Sequence, residues 1–143
     1  MSVTSATTLR QIAEESQSDP RGACLRAVGD VSGLDPAPRH LLVVGYIRPE
    51  KTSGGIYRPD TSINEDRFQG KVGLVLKNGP LCFEDDVVNK FGGFKVEEGD
   101  WVLFRTSDGW ENFAVDKKGR GCPIRWLVDT SIIAKVDDPQ RVY

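Results

Sequence analysis

From His40 onward the chain alternates short runs of β-branched, leucine and aromatic residues with recurrent turn signals, a texture that predicts strands rather than helices. The runs are Leu41-Leu42-Val43-Val44-Gly45-Tyr46-Ile47, Lys71-Val72-Gly73-Leu74-Val75-Leu76-Lys77 and Trp101-Val102-Leu103-Phe104-Arg105. Ile124-Arg125-Trp126-Leu127-Val128 and Ile132-Ile133-Ala134-Lys135-Val136 follow. The punctuation is Asn78-Gly79-Pro80, Glu98-Gly99-Asp100, Ser107-Asp108-Gly109 and Lys118-Gly119-Arg120-Gly121. These supply the positive φ values and Asx turns with which antiparallel strands reverse. The pattern predicts an all-β fold, a small sandwich or barrel, over residues 39–143.

Residues 1–38 have a different texture. They are polar, carry Pro20, Pro36 and Pro38, and hold two short patterned segments. Leu9, Ile12 and Ala13 after Thr7-Thr8 suit one stripe of a short helix with a threonine cap. Ala23 to Val28 is too short to assign. So few apolar residues cannot hold a segment folded by themselves, which predicts an N-terminal arm that frays or packs on something else.

The other break in the strand rhythm is Pro49 to Phe68, with Ser53-Gly54-Gly55, Pro59-Asp60 and Asn64-Glu65-Asp66-Arg67. Unstructured loops beyond about 12–15 residues are uncommon inside domains and tend to carry function. This loop is the first candidate for a binding element.

Composition narrows the classes of function. At 143 residues and 38% hydrophobic content the chain suits one modest core. Its 19 basic and 21 acidic residues are interleaved, so it lacks the basic field that a phosphate backbone requires, and nucleic acid is not an expected partner. Cys24, Cys82 and Cys122 are odd in number, widely spaced and form no CxxC pair, which predicts reduced thiols and neither disulfides nor zinc. The N-terminal MSVTSATTLRQIAEESQ has no apolar signal core, and no run approaches the roughly 20 apolar residues of a membrane span. The expectation is a cytosolic protein without a membrane role.

Taken in chain order, the segments resemble the GroES-type co-chaperonins over roughly residues 36–136. The likeness rests on a proline-led strand from Pro36 through Val44 and a long loop with Lys51-Thr52-Ser53-Gly54-Gly55-Ile56 and Pro59-Asp60-Thr61. A Gln69-Gly70-Lys71-Val72 re-entry, Val96-Glu97-Glu98-Gly99-Asp100-Trp101-Val102-Leu103-Phe104 and Asp129-Thr130-Ser131-Ile132-Ile133-Ala134-Lys135 complete it. The resemblance implies a partly open β-barrel assembled as a ring, usually sevenfold. It implies that residues 49–68 form a partner-binding loop, with Gly54, Gly55, Ile56, Tyr57, Arg58 and Pro59 at its centre, and that a hairpin over 78–95 forms a roof. The Arg after Gly-Gly-Ile-Tyr and the Asp-Pro-x-x-Val-Tyr ending look like the divergent GroES-like proteins of bacteriophages. An apolar groove that received Ile56-Tyr57-Arg58 would have to desolvate the Arg58 guanidinium, which opposes docking in the family's usual manner.

Nothing assembles into a catalytic, cofactor or metal site. His40, the one histidine, opens an apolar strand and suits a structural role. Glu84-Asp85-Asp86 lacks the alternating ligand spacing of a calcium loop and reads as a solvated turn. Glu97, Glu98 and Asp100 flank a glycine turn and suit the solubility of a sheet edge. The Gly54-Gly55 and Gly92-Gly93 pairs lack a phosphate-loop context. Trp101 and Trp126 read as core or subunit-interface residues, and Trp110, beside a turn, is the candidate exposed contact.

Two functions follow as expectations, neither of them enzymatic. One is a structural subunit of a phage particle, a capsid decoration, cement or minor head protein that binds neighbouring subunits in the virion or host cytoplasm. The other is a working co-chaperonin whose ring caps a chaperonin through many weak loop contacts. Both make the protein a homo-oligomer or part of a larger assembly.

Overall fold

Strand β1 (His40–Gly45) is apolar at four successive positions, Leu41 to Val44, and all four are buried. Side chains alternate across a strand, so such a run needs cover on both faces of its sheet. The computed structural model, which describes residues 19–46, 72–115 and 121–142, shows what supplies it. Strands β2 (Val72–Asn78), β3 (Trp101–Leu103), β4 (Trp110–Val115), β5 (Gly121–Val128) and β6 (Ala134–Val136) join β1 in one antiparallel sheet. Its order is β4-β5-β1-β2-β3-β6, so β1 lies inside the sheet between β5 and β2. Among the described residues the end strands β4 and β6 do not pair with each other, and the sheet is open. The all-β expectation thus holds at the level of an antiparallel sheet, joined among the described residues by one α-helix.

One face is covered by helix α1 (Pro20–Val28), which lies in the stretch expected to be an arm. Asp19 caps it by accepting the Gly22 N–H at 3.0 Å, Pro20 stands where a missing N–H costs nothing, and Gly29 ends it at φ 70°. Ala23, Cys24, Ala27 and Val28 fall on one side of the helical turn. Cys24 and Val28 pack with Leu42, Val44, Leu74, Trp101 and Ile124, with Ala27 against them.

The other face gathers Leu41, Val43, Val75, Val102, Phe104 and Leu127. Its cover comes from the segment between β2 and β3, where a hairpin over 78–95 was expected. Residues 79–100 contain turns and no strand. Phe83 and Val96 are buried there against the sheet, with Phe91 and Phe94 beside them. The segment therefore forms a third layer in place of a paired ribbon: its aromatic residues turn inward, and carboxylate side chains take up backbone N–H groups that a ladder would have used.

Candidate functional site

This covering loop carries the most conspicuous surface feature of the described residues. Asp86 Oδ1 accepts the N–H of Val88 at 2.8 Å and of Asn89 at 2.6 Å, and the Asp86 N–H donates to the Asn89 carbonyl at 2.8 Å. Asp85 Oδ1 accepts the Phe91 N–H at 2.7 Å. The Asp86 bonds form an Asx turn and the Asp85 bond spans six residues; in both a short carboxylate substitutes for a backbone partner. They leave Val87 96% and Val88 84% exposed, while Leu81 nearby is 53% exposed.

Below the tip, Phe83 is 4% exposed and stands edge-on to Phe91 and Phe94, at centroid distances of 5.6 and 5.8 Å. The loop mouth is closed by Asn78 Nδ2 donating to the Val96 carbonyl at 2.6 Å and by the Gly79 N–H donating to the His40 carbonyl at 2.7 Å. Position 79 requires glycine because a Cβ would collide with the Ala37 carbonyl oxygen.

Between tip and sheet lies a charged node. The Arg39 guanidinium meets Asp86 Oδ2 at 2.8 Å and Asp129 Oδ2 at 3.1 Å, and it donates to the Glu84 carbonyl at 3.0 Å. Asp129 is buried and also accepts the Phe83 N–H at 3.1 Å through Oδ2. Its Oδ1 is buried with no hydrogen-bond partner among the described residues. Arg39, Leu81 and Phe83 have φ of 65°, 67° and 62°, the left-handed region that L side chains disfavour. Each such residue costs about 1–3 kcal/mol and persists only where its surroundings over-determine it.

The node shifts two titrations. The Asp86 carboxyl is held below the usual aspartate range, chiefly by the Asn89 and Val88 N–H groups and further by Arg39. The Cys82 thiol, which donates to the His40 carbonyl at 3.3 Å, is pushed up by burial and by the Asp129 charge. Glu84-Asp85-Asp86 is therefore more than a solvated turn: two of its three acids build the loop. No group of three His, Cys, Asp or Glu among the described residues could hold a metal ion.

Compared with known families and with curated proteins, the chain matches none.

The expected partner-binding residues Gly54, Gly55, Ile56, Tyr57, Arg58 and Pro59 lie outside the described residues. Trp110 is 70% exposed at the start of β4, across from Trp126, whose indole N–H donates to Asn112 Oδ1 at 3.1 Å. Arg125 supports that corner by donating to the Thr106 and Asp108 carbonyls at 2.9 and 2.6 Å while pairing with Glu111 at 3.2 Å. Trp101 is buried in the core, and His40 uses Nδ1 on the Pro38 carbonyl at 2.9 Å. Cys24 and Cys122 are buried and Cys82 is half-buried. Trp110 and the valine tip belong to different segments, and nothing in the geometry joins them into one site. Sequence reasoning missed the tip, although adjacent valines between Asp86 and Asn89 depart from the polar composition of a turn.

Proposed function

We propose that the protein is a non-enzymatic structural subunit that binds other protein chains, with Val87 and Val88 as docking residues. The observation that carries this function is the tip itself: two neighbouring valines almost wholly in water on a loop that cross-braces its own backbone. Apolar side chains gain free energy when a partner covers them, and a loop already ordered loses little entropy on docking. The interleaved charge and net −2 favour a protein partner over nucleic acid.

The resemblance to the GroES-like proteins of phages makes a virion subunit, a decoration, cement or minor head protein, the concrete form of this function. A ring-forming co-chaperonin is the second reading, favoured by the chain-order resemblance and by the antiparallel sheet. Size-exclusion chromatography with light scattering, on the protein alone and then with a chaperonin and nucleotide, separates them. A small oligomer that ignores the chaperonin supports the structural subunit. A ring that co-elutes with the chaperonin overturns it. In either assembly Val87→Asp with Val88→Asp is expected to weaken association without unfolding the chain; undiminished association removes the tip as the docking element.

A further inference from the structure

The segment that carries the two valines is fastened by polar bonds at one residue and by one ring, Phe91, against Phe83. Within residues 84–91 the polar bonds are internal: Asp85 to Phe91, and Asp86 to Val88 and Asn89. Among the described residues, the polar bonds that tie this segment to another element end on Arg39, through Asp86 Oδ2 and the Glu84 carbonyl. Arg39 is held from behind by buried Asp129, and its backbone N–H donates to the Pro80 carbonyl at 2.8 Å.

Both ends of the segment are built to turn. On one side the chain leaves Phe83, which is held in the left-handed region at φ 62°. On the other side Gly92 and Gly93 have φ of 61° and 87°, and nothing lies within 4 Å of where their Cβ atoms would be. The Phe83 ring stays buried and its N–H stays on Asp129, so on its side rotation falls at the Phe83 ψ and at Glu84, where the moving segment leaves this anchor. Hinges are a few residues that absorb a change of φ and ψ while the bodies they join stay intact.

We infer that Arg39 is a latch, whose guanidinium holds residues 84–91 closed and whose withdrawal lets that segment lift as a unit from a sheet that stays folded. The latch stands on geometry alone, and only its consequence for binding rests on the docking function proposed above. In the closed form Val87 and Val88 are presented in one orientation. Arg39 thereby sets the fraction of molecules ready to dock, and apparent affinity falls with that fraction.

Amide hydrogen exchange read by mass spectrometry on the full chain tests this, comparing the native protein with Arg39→Gln and Asp86→Asn. Asparagine keeps the side-chain oxygen that caps Val88 and Asn89, so Asp86→Asn removes the ion pair and the weak 3.4 Å bond from Asn89 Nδ2 to Oδ2, the oxygen that meets Arg39, while leaving the backbone caps in place. Asp86→Asn is expected to speed exchange in peptides covering 84–91 with peptides of β1, β2 and β5 unchanged; Arg39→Gln, which also strips buried Asp129 of its counter-charge, is expected to speed exchange over 84–91 about tenfold more than in those sheet peptides. Equal acceleration in the sheet peptides would overturn the latch, because Arg39 would then support the whole fold. Unchanged exchange over 84–91 in both variants would overturn it too. Should Arg39→Gln not fold, Asp86→Asn decides by the same criteria. No partner enters the measurement, so a loop that opens as stated while aspartates at 87 and 88 leave assembly intact would remove the docking function and keep the latch.

Discussion

Arg39 and Asp129, ninety positions apart, are joined twice: the Asp129 N–H donates to the Arg39 carbonyl at 2.8 Å, and the guanidinium meets Asp129 Oδ2 at 3.1 Å. The first bond continues the ladder in which His40 faces Val128, and the second brings a positive charge under the covering loop. The carboxylate side chain is wholly buried while Arg39 retains 24% of its exposure, so the pair spans the boundary between core and surface. Truncating one partner of a buried pair leaves the other without compensation, typically at about 3–5 kcal/mol. Asp129→Ala also strands the Phe83 N–H. Urea unfolding is expected to show a loss of that size for Asp129→Ala, and a smaller one for Asp129→Asn, which keeps an acceptor. A loss below about 1 kcal/mol for Asp129→Ala would show the node to be peripheral to stability.

Phe83 anchors the third layer. Its ring is buried against the sheet and edge-on to two other phenylalanines. Phe83→Ala is expected to cost about 3–5 kcal/mol, the range for a buried aromatic truncation, and to loosen the loop. A lower urea midpoint together with faster exchange over 84–91 checks both parts. A change in the midpoint alone would show that the loop is held by its polar bonds.

Acid should loosen the tip before the sheet. The Asp86 carboxyl titrates lower in the folded protein than in the unfolded chain, chiefly because the Asn89 and Val88 N–H groups donate to it. A group with a depressed folded pKa contributes stability that is complete above its unfolded value, about 3.9 for aspartate, and is lost as pH falls through the folded value. The Val88 and Asn89 amide resonances should therefore hold steady at neutral pH and move only below about pH 4. A transition near pH 6 would contradict the assigned bonds.

Cys82 reports on the same loop. Burial and the Asp129 charge raise its thiol pKa, which keeps it protonated and slow toward alkylating reagents at neutral pH. Iodoacetamide is expected to modify it slowly in the native protein and no faster in Arg39→Gln, which removes a charge that lowers this thiol's pKa while Phe83 stays anchored beside it. Cys24 and Cys122, buried under the helix-covered face, should react only on unfolding. Equal rates at all three thiols would show that global unfolding exposes Cys82.

Much of the sheet was legible because its strands carry their own signal. Leu41–Val44 and Val72–Leu76 are continuous apolar runs, and the turns at Glu98-Gly99-Asp100 and Ser107-Asp108-Gly109 coincide with positive φ at Gly99 and Gly109. Strand β4 was not legible: Trp110-Glu111-Asn112-Phe113-Ala114-Val115 mixes polar and apolar residues, because only Ala114 is buried. Helix α1 was hidden for a related reason. Ala23, Cys24 and Val28 make a weak stripe, and its length became visible only once caps and a sheet face were in place.

Local chemistry thus determined that the chain forms short antiparallel strands around a modest apolar core, since burial period and turn residues act over a few positions. Only the tertiary structure decided what covers each face, because that depends on contacts between residues tens of positions apart. Arg39, Phe83, Asp86 and Asp129 carry no shared pattern along the chain. Pairing His40 with Val128 brings Arg39 beside Asp129, and burial of Phe83 draws Asp86 onto the guanidinium while leaving Val87 and Val88 in water.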